Sequence, residues 1–129
     1  MAVDASHIRL RFSNAFGATT LPITAVTVAL PANGTAGSPA IQPHTVQDVT
    51  FSGSPSFNVP NGALVVSDPL AFPVKAQSMI TVTMFLAEGQ AGWNISSHPG
   101  SRTTTWYQFG NAVSATNLTD SSAANVAHW

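Results

Sequence analysis

Between Pro22 and Pro73 no stretch of more than 11 residues is free of proline, and nine glycines punctuate the 129-residue chain as a whole. Proline lacks the amide hydrogen that an α-helix needs and restricts the residue before it, so intervals this short leave no room for several helices. No window carries a sustained 3.6-residue apolar period either. What remains is alternation. Ser6 to Phe12 places Ile8, Leu10 and Phe12 on one parity and His7, Arg9 and Arg11 on the other, which reads as a half-buried strand. Ile23 to Leu30 is rich in β-branched residues and is closed by Pro31 and the turn pair Asn33-Gly34. Val46 to Phe51 and Phe57 to Val59 are short strands separated by Gly53 and Pro55, and Pro60-Asn61-Gly62 turns the chain into the apolar run Ala63 to Val66. Ser78 to Leu86 carries apolar groups on both parities, which predicts a central strand, and Thr103 to Phe109 is a late strand. Six to nine short strands with turns between them predict an all-β fold, an antiparallel β-sandwich with a jelly-roll-like form, as one domain over residues 1–129.

Only 7% of the residues are charged and the net charge is -1. Disorder pairs low hydrophobicity with high net charge, so a 44% hydrophobic chain of this kind is expected to fold. Four Lys and Arg residues, spread along the chain, make no basic footprint for nucleic acid. No apolar run approaches the roughly 20 residues that span a bilayer, so no membrane insertion is expected. With no cysteine, thiol nucleophiles, disulfides and cysteine-type zinc sites are excluded. No signal segment follows Met1, so the expectation is a secreted domain behind an added start methionine, or a leaderless cytoplasmic protein if Met1 is native. Asn33-Gly34-Thr35, Asn94-Ile95-Ser96 and Asn117-Leu118-Thr119 would be glycan acceptors in a secreted protein and plain surface turns otherwise.

Catalytic signals are missing. His7, His44, His98 and His128 are widely spaced, and Asp4 with His7 is the one close acid–histidine pair, so neither a metal nor another cofactor is expected. Asp4, Asp48, Asp68, Glu88 and Asp120 lie far apart beside turn residues, unlike the facing carboxylates of a glycosidase. There is no Gly-x-Ser-x-Gly elbow and no phosphate-binding glycine loop. No catalytic residue is assigned and the chain is expected not to be an enzyme.

The aromatic distribution carries more. Trp93, Trp106, Tyr107 and Trp129 fall in the last third of the chain among Asn94, His98, Arg102 and Gln108. Sugar rings present flat C–H faces bordered by hydroxyls, which suit an aromatic platform flanked by amide, hydroxyl and guanidinium donors. The candidate ligand site is therefore Trp93, Asn94, His98, Arg102, Trp106 and Tyr107. The alternative is that these tryptophans anchor the core between two sheets, and it stands beside the first for Trp106 in particular.

Ile8-Arg9-Leu10-Arg11-Phe12-Ser13-Asn14-Ala15-Phe16-Gly17 resembles the "iRlRfSNaFG" segment of the β-sandwich domain that precedes the catalytic domain in many fungal and actinobacterial SGNH (GDSL-type) esterases. In the same order, Val65 to Pro69 resembles "vvSDpv", Ile80 to Leu86 the "l.vslyl" strand, His98 to Trp106 "hpgSrttsw", and Gly110-Asn111 the "GN" after it. The likeness runs from about Ala5 to Trp129. Members of that family carry a further strand before the first of these blocks and continue into a catalytic domain that opens with Gly-Asp-Ser. Their nucleophile and oxyanion-hole blocks have no counterpart here. Asp4-Ala5-Ser6-His7 has the spelling of their terminal block but stands at the wrong end of the chain.

The resemblance implies an accessory sandwich without its enzyme. The leading expectation is a non-catalytic, lectin-like carbohydrate-binding protein with a glycan or polysaccharide partner. One alternative is an accessory-domain fragment of an esterase whose catalytic domain lies outside this chain, and another is an interaction or defence protein without sugar affinity. If the leading strand is missing, an uncovered sheet edge with little net charge to repel a second copy predicts homo-oligomers.

Overall fold

A computed structural model describes residues 2–92, 94–98, 104–119, 121–124 and 127–128, with residues 98, 123, 124, 127 and 128 described as backbone alone. It is an all-β, antiparallel arrangement. Among the described residues the strands are β1 (Arg11–Ser13), β2 (Leu21–Ile23), β3 (Ala25–Ala29), β4 (Gln47–Asp48), β5 (Phe57–Val59), β6 (Leu64–Val66) and β7 (Thr81–Phe85). They continue as β8 (Ser97–His98), β9 (Thr105–Tyr107), β10 (Ser122–Ala124) and β11 (Ala127–His128). The helical content is two 3-10 turns, Ala32–Gly34 and Pro43–Thr45, and no described helix is long and apolar enough to cross a membrane.

The first alternating segment pairs over a longer distance than β1 alone. Arg11, Phe12 and Ser13 face Val66, Val65 and Leu64, and isolated bridges carry the ladder on through Ile8 with Leu70 and Ala5 with Val74. The three-residue step from Ile8 to Arg11 lies opposite a four-residue step from Val66 to Leu70, and the step from Ala5 to Ile8 opposite a four-residue step from Leu70 to Val74. One residue is therefore extra in each interval, and each interval holds a proline, Pro69 or Pro73. A bulge is where a sheet tolerates a residue that has no amide hydrogen to give. Alternation survives the bulges: Ile8 and Phe12 are buried while His7, Arg9 and Arg11 are exposed.

The second sheet corrects the sequence expectation about its centre. Its order is β4-β3-β7, so among the described residues β3 is central and β7, expected there, is an edge. Val26, Thr27, Val28 and Ala29 are all buried, whereas every residue of β7 is half-buried. Two-sided apolar character says only that both faces meet something; β7 meets partial cover on both. A further pair joins β2 to β5. Ile8, Phe12, Leu70 and Val74 from the first ladder, Val26, Val28 and Val49 from the second, and Leu21, Ile23 and Val59 from the third form one buried cluster, the layered packing of a sandwich. Phe51 bridges it, with its ring 5.6 Å from Phe12 in an edge-to-face contact and 5.7 Å from Phe57.

Two loops are fixed by single polar residues. Asn14, only 1% exposed, donates from its side-chain amide to the carbonyls of Thr19 (2.8 Å), Val59 (3.1 Å) and Pro60 (3.2 Å), tying the loop after β1 to the turn between β5 and β6. Among the described residues its Oδ1 has no hydrogen-bond donor, and it rests against Gly17, where a Cβ would stand 1.8 Å away. Asp68 accepts from Thr50 Oγ1 (2.7 Å) and from the amides of Ser52 (3.0 Å) and Gly53 (2.8 Å). Ser52 and Gly53 have φ of 53° and 81°, so they form a two-residue turn closed by the reciprocal Phe51–Ser54 bonds.

Candidate functional site

Two loops meet beyond the end of the sheet where Ala25 pairs with Phe85. One runs from Ser13 to Leu21 and is shaped by Asn14. The other leaves β7, turns at Gly89 (φ 65°), and returns through Ser96. Ala87 donates to Thr24 Oγ1 at 2.9 Å, Thr19 Oγ1 donates to the Ala91 carbonyl, and the Phe16 amide donates to Ser96 Oγ at 3.1 Å. The last two bonds hold the loops against each other over a long sequence separation.

Between them lies a pocket of about 120 Å³. Leu21, Met84 and Leu86 give it an apolar lining; Ser13, Gln90 and Ser96, with Asn14, give it polar atoms. The two hydroxyls are half used. Ser13 Oγ accepts from the Ala15 amide at 3.3 Å and Ser96 Oγ from the Phe16 amide, so among the described residues each hydroxyl hydrogen is left for a further acceptor. The Gln90 amide has no partner there either. Phe16, which connects the two loops through its amide, is 77% exposed, and Ile95 beside Ser96 is also exposed. An apolar pocket carrying a few unspent hydrogen-bonding groups has the lining of a small-ligand site, although its volume is below the roughly 300 Å³ at which such sites begin.

The residues expected from sequence are divided by the structure. Asn94 is exposed, two positions before Ser96 on the second loop of the pocket. Trp106 is half-buried on β9, and its indole Nε1 donates to the Gly37 carbonyl at 3.0 Å. Gly37 belongs to the loop that leaves the far end of β3, so Trp106 is anchored away from the pocket. Tyr107, next to it, is 58% exposed. His98 is described only as backbone, paired with Ala127 between β8 and β11. Trp93 and Arg102 lie outside the described residues.

Phe16, Ser13 and Gln90 escaped the sequence reading. A signal was present in Phe16, a large aromatic set among the turn-forming residues Asn14, Ala15 and Gly17, where no strand alternation asks for it.

Charge plays little part in the pocket, which no Lys, Arg, His, Asp or Glu lines. Among the described residues the acid clearly displaced from ordinary behaviour is Asp68, whose carboxyl is held below the usual range by the Gly53 amide first, then by the Thr50 hydroxyl, the Ser52 amide and the charge of Arg9. It serves its turn. Among the described residues no three His, Asp or Glu side chains gather as a metal site requires. No known protein-family model matches the chain and no curated protein is significantly similar to it.

Proposed function

We propose that this is a non-catalytic carbohydrate-binding protein and that the pocket between the Ser13–Leu21 and Leu86–Ser96 loops is its glycan site. The observation that carries this reading is a pocket with an apolar lining and spare hydroxyl and amide groups, set where the amide of the exposed residue Phe16 bonds to Ser96. In this reading a sugar lays its C–H face on the exposed Phe16 ring while its polar groups reach the lining, and Asn94, exposed two positions before Ser96, adds a donor or acceptor. The sequence resemblance to an esterase accessory sandwich supports a role beside polysaccharide. Exposure of the sequon residues Asn33 and Asn117 supports a secreted setting. A glycan-array screen with the purified chain tests the reading. Phe16→Ala should weaken the binding found by about 1–3 kcal/mol, the cost of losing an aromatic anchor, with an unchanged melting temperature because the ring buries little. Failure to bind any glycan would overturn the proposal.

A second reading has its own support in the ordered blocks from Ile8 to Asn111: the chain is the accessory portion of an SGNH esterase, which steadies a hydrolase and binds no sugar itself. Reading the source gene past Trp129 separates the two. Continuation into a Gly-Asp-Ser block, together with an empty glycan screen, would favour the second.

A further inference from the structure

Size and lining together say which part of a sugar enters the pocket. An apolar cavity of about 150 Å³ takes a benzene ring, and this one, at about 120 Å³, is smaller. A pyranose ring with its hydroxyls does not fit inside, so the ring must stay outside and send in one substituent. A hydroxymethyl group would find partners in the polar lining but brings no methyl to cover Leu21, Met84 and Leu86. A carboxylate finds no cation among the lining residues. The Ser13 and Ser96 hydroxyl hydrogens, both unspent among the described residues, and the Gln90 amide ask for an acceptor oxygen instead.

A neutral group with one methyl for the apolar lining and one carbonyl oxygen for those donors meets every condition. We infer that the pocket is an acetyl subsite and that the protein selects acetylated sugars, bearing either an N-acetyl or an O-acetyl group. This rests on the glycan reading of the same pocket and makes it specific.

The test compares N-acetylated chitotriose and O-acetylated xylotriose with their deacetylated counterparts, by calorimetry and saturation-transfer NMR on the full chain. The expected result is at least tenfold tighter binding of one or both acetylated sugars, with the strongest saturation transfer at the acetyl methyl protons; which of the two responds identifies the linkage. Leu86→Phe, which fills the pocket from a half-buried position, should abolish the preference. Gln90→Ala, on the loop, should weaken acetyl-sugar binding several-fold while the far-ultraviolet spectrum and melting temperature stay in place. Equal binding of acetylated and deacetylated sugars overturns the acetyl assignment and leaves the glycan reading standing. Absence of binding to all four sugars, with a glycan array also empty, overturns both.

Discussion

Asn14 and Gly17 form a pair in which each residue explains the other. The buried amide of Asn14 supplies hydrogen to three backbone carbonyls, and Asn14→Ala would strand the buried Val59 carbonyl and loosen the part-buried bonds to Thr19 and Pro60. The expected cost is about 3 kcal/mol, the upper end for unsatisfied buried polar groups. Gly17→Ala would drive a methyl group into Oδ1 and should cost about 1–3 kcal/mol as an overpacking change. In an Asn14→Ala background the Oδ1 is gone and the same glycine substitution should cost much less. Chemical denaturation of the two single variants and the double variant measures that coupling; additive losses would mean that the two side chains do not meet. Asp68 gives a pH signature. Its folded carboxyl titrates below the ordinary carboxylate range, so its stabilising contribution is full above that range and is lost as pH falls through the lower folded value. Asp68→Asn should flatten the acid limb of a melting-temperature profile while making the protein less stable at neutral pH.

Among the elements, β3 and β7 offer the clearest contrast. Val28 is fully buried at the centre of its sheet, and Val82, its partner across the ladder, is half-buried on the edge strand. Val28→Ala is expected to cost about 2–3 kcal/mol and Val82→Ala less than half as much, read from denaturant midpoints at constant slope. Amide exchange should order the strands in the same way, with β3 slower than β7. Trp106 joins β9 to the loop after β3 through one partly exposed hydrogen bond, so Trp106→Phe should cost only about 1 kcal/mol and leave glycan affinity unchanged. Reduced affinity in a well-folded Trp106→Phe protein would return β9 to the binding site.

At the scale of the whole molecule two expectations follow. β7 is paired with β3 on one side alone among the described residues, Met79 beside it is exposed, and the net charge of -1 offers little repulsion between copies. Self-association is therefore expected, and light scattering behind a sizing column would refute it by giving a 13.4 kDa species at high concentration. Short acyl esters should not be hydrolysed. The hydroxyl of Ser67, in the Ser-Asp-Pro block, is buried, accepts from the Leu10 amide at 3.0 Å and donates to the Asp68 carbonyl at 2.8 Å, so it is neither accessible nor activated by a base. Turnover that persists through purification and in Ser67→Ala would point to chemistry elsewhere in the chain.

The chain's own residues determined that the fold is antiparallel β, because prolines and glycines at these spacings forbid long helices and because Ile8, Leu10 and Phe12 alternate with charged neighbours. Which strand is central was decided by tertiary structure: apolar side chains on both faces describe an edge under partial cover as well as a centre, and only pairing tells β3 from β7. The same holds for the site. Sequence sees that Trp106 and Asn94 are near one another along the chain, but a side chain's surroundings depend on where its strand or loop is carried, and here one is tied to Gly37 while the other is exposed on the loop that carries Ser96. That pocket is built by Ser13, Leu21, Met84, Gln90 and Ser96, brought together from positions more than eighty residues apart. No local pattern records such a meeting, because loop closure and packing against the common core bring it about.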